Sequence, residues 1–124
     1  MQITHRIALT ALVLAALVMA PLADAKSPPK KKYQCTISGL IYGDLFITGK
    51  SSYKFGLDGK YKKGTYTAKG KVKSGTYKGQ SKIRFKTGRL KKHKGRWFKS
   101  TAGQYEIALA PPGRTFENIA CDSR

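Results

Sequence analysis

The chain has 124 residues and carries 25 Lys and Arg against 6 Asp and Glu, a formal net charge of +19. That length supports one domain with a modest core and leaves no room for two. With 2 His and 2 Cys in the whole chain, a clustered His and Cys metal centre is not expected, and nothing points to a cofactor.

Residues 1–25 read as a secretory signal: His5 and Arg6, an apolar run from Ile7 to Ala20, a helix-breaking Pro21 and the small-residue site Ala23-Asp24-Ala25. Cleavage after Ala25 is expected, which leaves 99 residues with 24 basic and 5 acidic side chains. The apolar run of 14 residues falls short of the roughly 18 to 20 that cross a bilayer, so no transmembrane anchor is expected. No Cys follows the run, so a lipid anchor is not expected either. The expected location is periplasmic or extracellular.

Residues 26–32, with two Pro and four Lys, read as an extended or disordered basic leader. A single β domain is expected over 33–124. From Tyr33 onward, β-branched and aromatic residues alternate with polar ones between Gly punctuation, and helical spacing is absent. The alternation predicts strands over 33–38, 41–48, 52–57, 60–68, 71–78, 82–86, 95–99, 105–110 and 115–121. Asp58-Gly59 suits the positive φ angles of a two-residue hairpin, and Lys69-Gly70 and Gly79-Gln80 suggest two more turns. The fold class is therefore all-β: a small antiparallel meander of about eight or nine strands, closed as a barrel or a sandwich.

An internal repeat runs through the middle of the chain. Lys62-Lys63-Gly64-Thr65-Tyr66 recurs as Lys73-Ser74-Gly75-Thr76-Tyr77, and the reading is one strand plus one turn per copy. Export places Cys35 and Cys121 where disulfides persist, and two cysteines allow one intramolecular pairing. Closing that loop removes about 4 to 5 kcal/mol of unfolded-chain entropy. The first strand is expected beside the last.

Between Lys50 and Lys99 there are fifteen Lys and three Arg against a single acid, Asp58. The other acids of the exported chain lie toward its two ends, so joining those ends predicts a polarised barrel with one cationic wall. Arg89, Lys91, Lys92, His93, Lys94 and Arg96 crowd one connection and form the densest candidate patch. Lys60, Lys62, Lys71 and Lys73 are expected to extend it along the outer face of two strands, with Tyr61 and Val72 among the candidates for the inside. Lys outnumbers Arg nineteen to six, and Lys binds phosphate or sulfate as a flexible point charge without the planar fork that reads base edges. Sequence-specific nucleic-acid recognition is not expected.

Catalysis is not expected either. A general acid and base need two titrating groups side by side, and the exported chain offers one His, with its carboxylates scattered.

The runs Ile83-Arg84-Phe85-Lys86-Thr87-Gly88-Arg89-Leu90 and Gly95-Arg96-Trp97-Phe98, with Gly59 to Tyr61, Gly64 to Tyr66, Cys35 and Cys121, resemble a pattern in small exported β-proteins of Gram-negative bacteria. The matching residues are packing and turn residues, so the resemblance implies a fold and an envelope or extracellular location without an activity. This chain departs from the pattern in its heavy Lys content. Ser74-Gly75-Thr76-Tyr77 also looks like part of a loop motif in periplasmic lysozyme-inhibitor β-barrels, but a surface of this charge would repel a basic enzyme. The leading expectation is a polyanion partner, such as lipopolysaccharide, an acidic polysaccharide or nucleic acid bound without sequence preference. The competing one is a protein partner such as an acidic hydrolase, with the basic face merely solvated.

Overall fold

The computed structural model describes residues 27–123; the segment read as a secretory signal lies outside the described residues, as do Lys26 and Arg124. Eight strands follow in order: β1 (Lys32–Ile37), β2 (Leu40–Ile47), β3 (Ser52–Leu57), β4 (Lys60–Thr67), β5 (Ser81–Phe85), β6 (Lys94–Lys99), β7 (Tyr105–Ala110) and β8 (Ile119–Ser123). Each pairs antiparallel with the next and β8 returns to β1, so the sheet closes as a barrel. Closure pairs β1 with β8 along most of their length, whereas β4 meets β5 only at Tyr66–Phe85 and Thr67–Arg84. Among the described residues no helix is long and apolar enough to cross a membrane.

Alternation puts one side chain in two inside. Tyr33, Leu45, Tyr53, Tyr66, Phe85, Ile107, Leu109 and Ile119 form a buried interior that touches every strand except β6, to which Trp97 contributes. Burying side chains of this size contributes roughly 1.5–3 kcal/mol each. Interior tyrosines keep their hydroxyls satisfied: Tyr33 donates to the Pro29 carbonyl at 3.0 Å and Tyr66 to the Gly49 carbonyl at 2.7 Å.

The ends are joined as expected. Cys35 lies directly opposite Cys121 in the β1–β8 ladder, and the two form a disulfide across 86 residues of sequence. Asp58-Gly59 makes the expected tight turn with φ of 53° and 80°, and Ser38-Gly39 makes the same turn between β1 and β2 with 51° and 80°. These values match a two-residue turn whose twist follows that of the flanking strands.

Three expectations need correction. The span 71–78 is not a strand but the tip of a long connection between β4 and β5, tied at its base by the Lys71–Ser81 bridge and by Val72 N–H to the Gln80 carbonyl at 2.8 Å. The first repeat copy buries Tyr66 opposite Phe85, whereas the second leaves the equivalent Tyr77 exposed, and Gly75 and Gly79 take positive φ. The last strand begins at Ile119 and not at Thr115, because the register that faces Cys121 to Cys35 leaves the exposed Phe116 in the preceding connection. The basic leader is docked where it is described: Pro28 is buried, the Ser27 hydroxyl donates to the Lys50 carbonyl at 2.9 Å, and Lys32 belongs to β1.

Register also reassigns a face. Lys60 and Lys62 lie opposite Leu57 and Phe55, whereas Tyr61 lies opposite Gly56 on the outer face and packs edge-on against Phe46 at 5.0 Å. Cross-strand partners share a face, so Lys60 and Lys62 occupy the inward side of a hairpin that runs past the packed interior into solvent.

Candidate functional site

The sequence Ser81-Lys-Ile-Arg-Phe of β5 alternates without interruption. Ile83 and Phe85 are buried, which forces Lys82 and Arg84 outward. Across the ladder, Lys82 faces Arg96 and Arg84 faces Lys94, so four cations occupy two adjacent rows of the outer sheet. Lys86 continues the line past the strand end.

Two connections rise beside these rows. Residues 68–80 stand on one side and 111–118 on the other, and between them lies a cleft of about 480 Å³ lined by Lys69, Lys82, Arg84, Lys86, Lys94 and Arg96. Its single carboxylate is Glu117, and Val72 and Ala110 add apolar wall. Six cations around one open groove give it a strongly positive potential.

Arg96 holds the walls together. It is 8% exposed, its Nε donates to Glu117 Oε1 at 2.7 Å, an Nη1–H donates to Gln80 Oε1, and its guanidinium stacks 3.3 Å from the Tyr77 ring centroid. One side chain thus fastens the tip of 68–80 and the 111–118 connection to β6. Glu117 neutralises it. Among the described residues the ion pairs are this one and Lys32–Asp44, so the remaining five cations of the cleft have no carboxylate within ion-pair distance.

Three acids lie elsewhere, away from the cleft's Glu117 and the turn's Asp58. Glu106, Asp122, Gln34 and Asp44 lie in one continuous cross-strand row over β7, β8, β1 and β2, spanning the disulfide-joined closure. Burial and the facing Asp122 raise the Glu106 pKa. The cationic wall lies on β5 and β6, but Glu117, expected on the seam side with the other terminal acids, sits in the cleft instead.

The expected patch is divided by the fold. Lys94 and Arg96 line the cleft, Arg96 as a buried anchor. Arg89, Lys91 and Lys92 are exposed on the β5–β6 connection, at the barrel end that also carries Lys60 and Lys62. Lys71 and Lys73 are exposed on the 68–80 connection. His93 leaves the set: it is 4% exposed, its Nδ1–H donates to the Leu90 carbonyl at 3.0 Å, and its Nε2 accepts from the Tyr42 hydroxyl at 2.7 Å. Burial lowers its pKa, so the ring is neutral and both nitrogens are used.

Leu90 explains this placement. It is fully buried, its N–H donates to the Tyr53 hydroxyl at 3.0 Å, and with His93 it plugs one end of the barrel. The flanking basic residues are thereby turned outward. The cleft cations absent from the expected patch are Lys69, Lys82, Arg84 and Lys86. Their signal in the sequence is the unbroken alternation of Lys82-Ile83-Arg84-Phe85-Lys86, which aligns three cations two residues apart.

Comparison with known proteins finds no matching family model, no matching curated protein and no matching solved structure. The functional reading rests on this chain's own residues.

Proposed function

We propose that the protein is a non-catalytic exported barrel that binds polyanions through the cleft over β5 and β6. The observation that carries this reading is the pair of outward rows Lys82–Arg96 and Arg84–Lys94 inside a groove with one carboxylate, already occupied by Arg96. Spaced lysines suit phosphate, sulfate or carboxylate groups repeated along a flexible chain, and they discriminate by charge density and not by sequence. The acidic row on the far side supports one preferred face. The polyanion is an acidic polysaccharide, a lipopolysaccharide or a nucleic acid bound non-specifically.

The test is the salt dependence of binding to a heparin column and to single-stranded DNA. On a single strand, every phosphate left without its cation lowers the slope of log K against log salt by about 0.7. Lys82→Ala with Arg84→Ala and Lys86→Ala is expected to lower that slope by about 2 and to elute early from heparin. Lys60→Ala with Lys62→Ala and Lys71→Ala, an equal removal of charge outside the cleft, is expected to elute close to the parent. Equal shifts from both sets would reduce the cleft to a share of bulk charge. Retention of one stoichiometric protein through a high-salt wash would instead favour a protein partner.

A further inference from the structure

The end of the barrel plugged by Leu90 and His93 has a composition unlike the rest of the surface. The hairpin tips β1–β2 and β3–β4 project there, and they expose Leu40 at 71%, Ile41 at 64% and Leu57 at 41%. These are large aliphatic side chains at the ends of strands whose other apolar residues are packed away. β2 pairs antiparallel with β3, so the β1–β2 and β3–β4 tips lie next to each other at the same end of the barrel. Exposed apolar residues gathered at adjoining tips mark a contact surface.

What surrounds them narrows the partner. Exposed Asp58 and then Lys60 and Lys62 follow Leu57 around its turn, and Arg89, Lys91 and Lys92 are exposed on the neighbouring β5–β6 connection, so five cations stand against one acid at this end. A protruding apolar point inside a basic collar is complementary to a layered surface: hydrocarbon below, phosphate above. We infer that this end of the barrel docks on an anionic lipid bilayer, with Leu40, Ile41 and Leu57 entering the acyl region and the collar of five cations meeting headgroup phosphates. Neither contribution suffices alone, since shallow insertion of three side chains is marginal and lysine attraction to a charged surface is lost in salt. Acting together they hold the barrel upright, with the β5–β6 cleft facing sideways and still open. This docking surface is separate from the cleft and stands independently of it.

The experiment uses protein expressed from its full sequence and recovered from the exported fraction. Vesicles of phosphatidylcholine with about one third phosphatidylglycerol are compared with pure phosphatidylcholine vesicles by co-sedimentation. The variant Leu40→Ser with Ile41→Ser and Leu57→Ser is expected to weaken partition to the anionic vesicles on the order of a hundredfold while its heparin elution stays unchanged. Leu40→Trp, which keeps the tip apolar, is expected to bind like the parent and to show fluorescence quenching by bromine-labelled acyl chains. Equal partition of parent and triple Ser variant, or no quenching at position 40, would overturn the proposal. So would a tip-dependent dimer in sedimentation equilibrium, which would identify the occupant as a second copy. The cleft variant Lys82→Ala with Arg84→Ala and Lys86→Ala, built on Leu40→Trp, is expected to lose heparin affinity yet retain acyl-chain quenching at position 40, which separates the two readings.

Discussion

The Tyr42 hydroxyl donates to His93 Nε2 at 2.7 Å, linking a residue at the β1–β2 bulge to the plug of the barrel 51 positions later. In the neutral ring Nε2 accepts this bond while Nδ1–H serves the Leu90 carbonyl. Burial lowers the His93 pKa relative to the unfolded chain, so the unfolded state binds the proton more readily. The stability this ring contributes is complete above the unfolded value of about 6.5 and is lost as pH falls toward the depressed folded value. Thermal melting followed by circular dichroism is expected to show a Tm that declines from pH 7 to pH 5, and a shallower decline in His93→Gln. Glu106, with a raised pKa, gains in the fold on acidification and acts in the opposite sense. An unchanged pH slope in His93→Gln would dissociate the ring from the effect.

The disulfide fastens the closure strands face to face across 86 residues. Cys35→Ser with Cys121→Ser is expected to lower unfolding free energy by about 3–5 kcal/mol, read from guanidinium midpoints. Intact mass of the exported protein is expected to correspond to a chain starting at Lys26 and lacking two hydrogens. A chain that retains residues 1–25 would contradict the reading of the signal.

Gly64 and Gly75 hold equivalent places in the two repeat copies but have different surroundings. A Cβ at Gly64 would lie 2.5 Å from the Thr87 carbonyl oxygen and 2.6 Å from the Tyr53 ring, whereas one at Gly75 meets nothing within 4 Å. Gly64→Ala is expected to displace the β5–β6 connection and cost about 2–3 kcal/mol. Gly75→Ala, at φ +89°, is expected to cost only about 1–2 kcal/mol from backbone conformation. Denaturant titration distinguishes them.

Arg96 anchors the wall of the cleft through Tyr77, Gln80 and Glu117. Arg96→Ala is expected to remove about 2 kcal/mol, because Glu117 and Gln80 lose a charged donor. It should also free residues 71–80 for trypsin cleavage at Lys73 and Lys78. Limited proteolysis at equal protease ratio measures this, and an unchanged cutting rate would assign the loop's order to its own base hydrogen bonds.

The barrel and its staple are legible in the sequence because strand alternation, tight turns and a lone cysteine pair are local signals. The departure at 71–78 has a physical source. A repeated sequence shares propensity but not partners, and Tyr66 finds Phe85 across the sheet while Tyr77 finds only Arg96. Burial of His93 is equally hidden, since a His within a basic run looks solvated until Leu90 shows which way the connection turns. The cleft is half visible: β5 announces its outward cations, but the facing of Lys82 to Arg96 depends on register set by residues far apart in sequence.

The row Glu106, Asp122, Gln34 and Asp44 opposite the lysine wall has a kinetic consequence. At long range an anion senses only the surplus positive charge and draws the molecule in from any angle. Closer in, the separated signs exert a torque, so the barrel rotates during approach and first touches with β5 and β6. Few encounters are then wasted on the disulfide side, and raising ionic strength should slow capture before it speeds release.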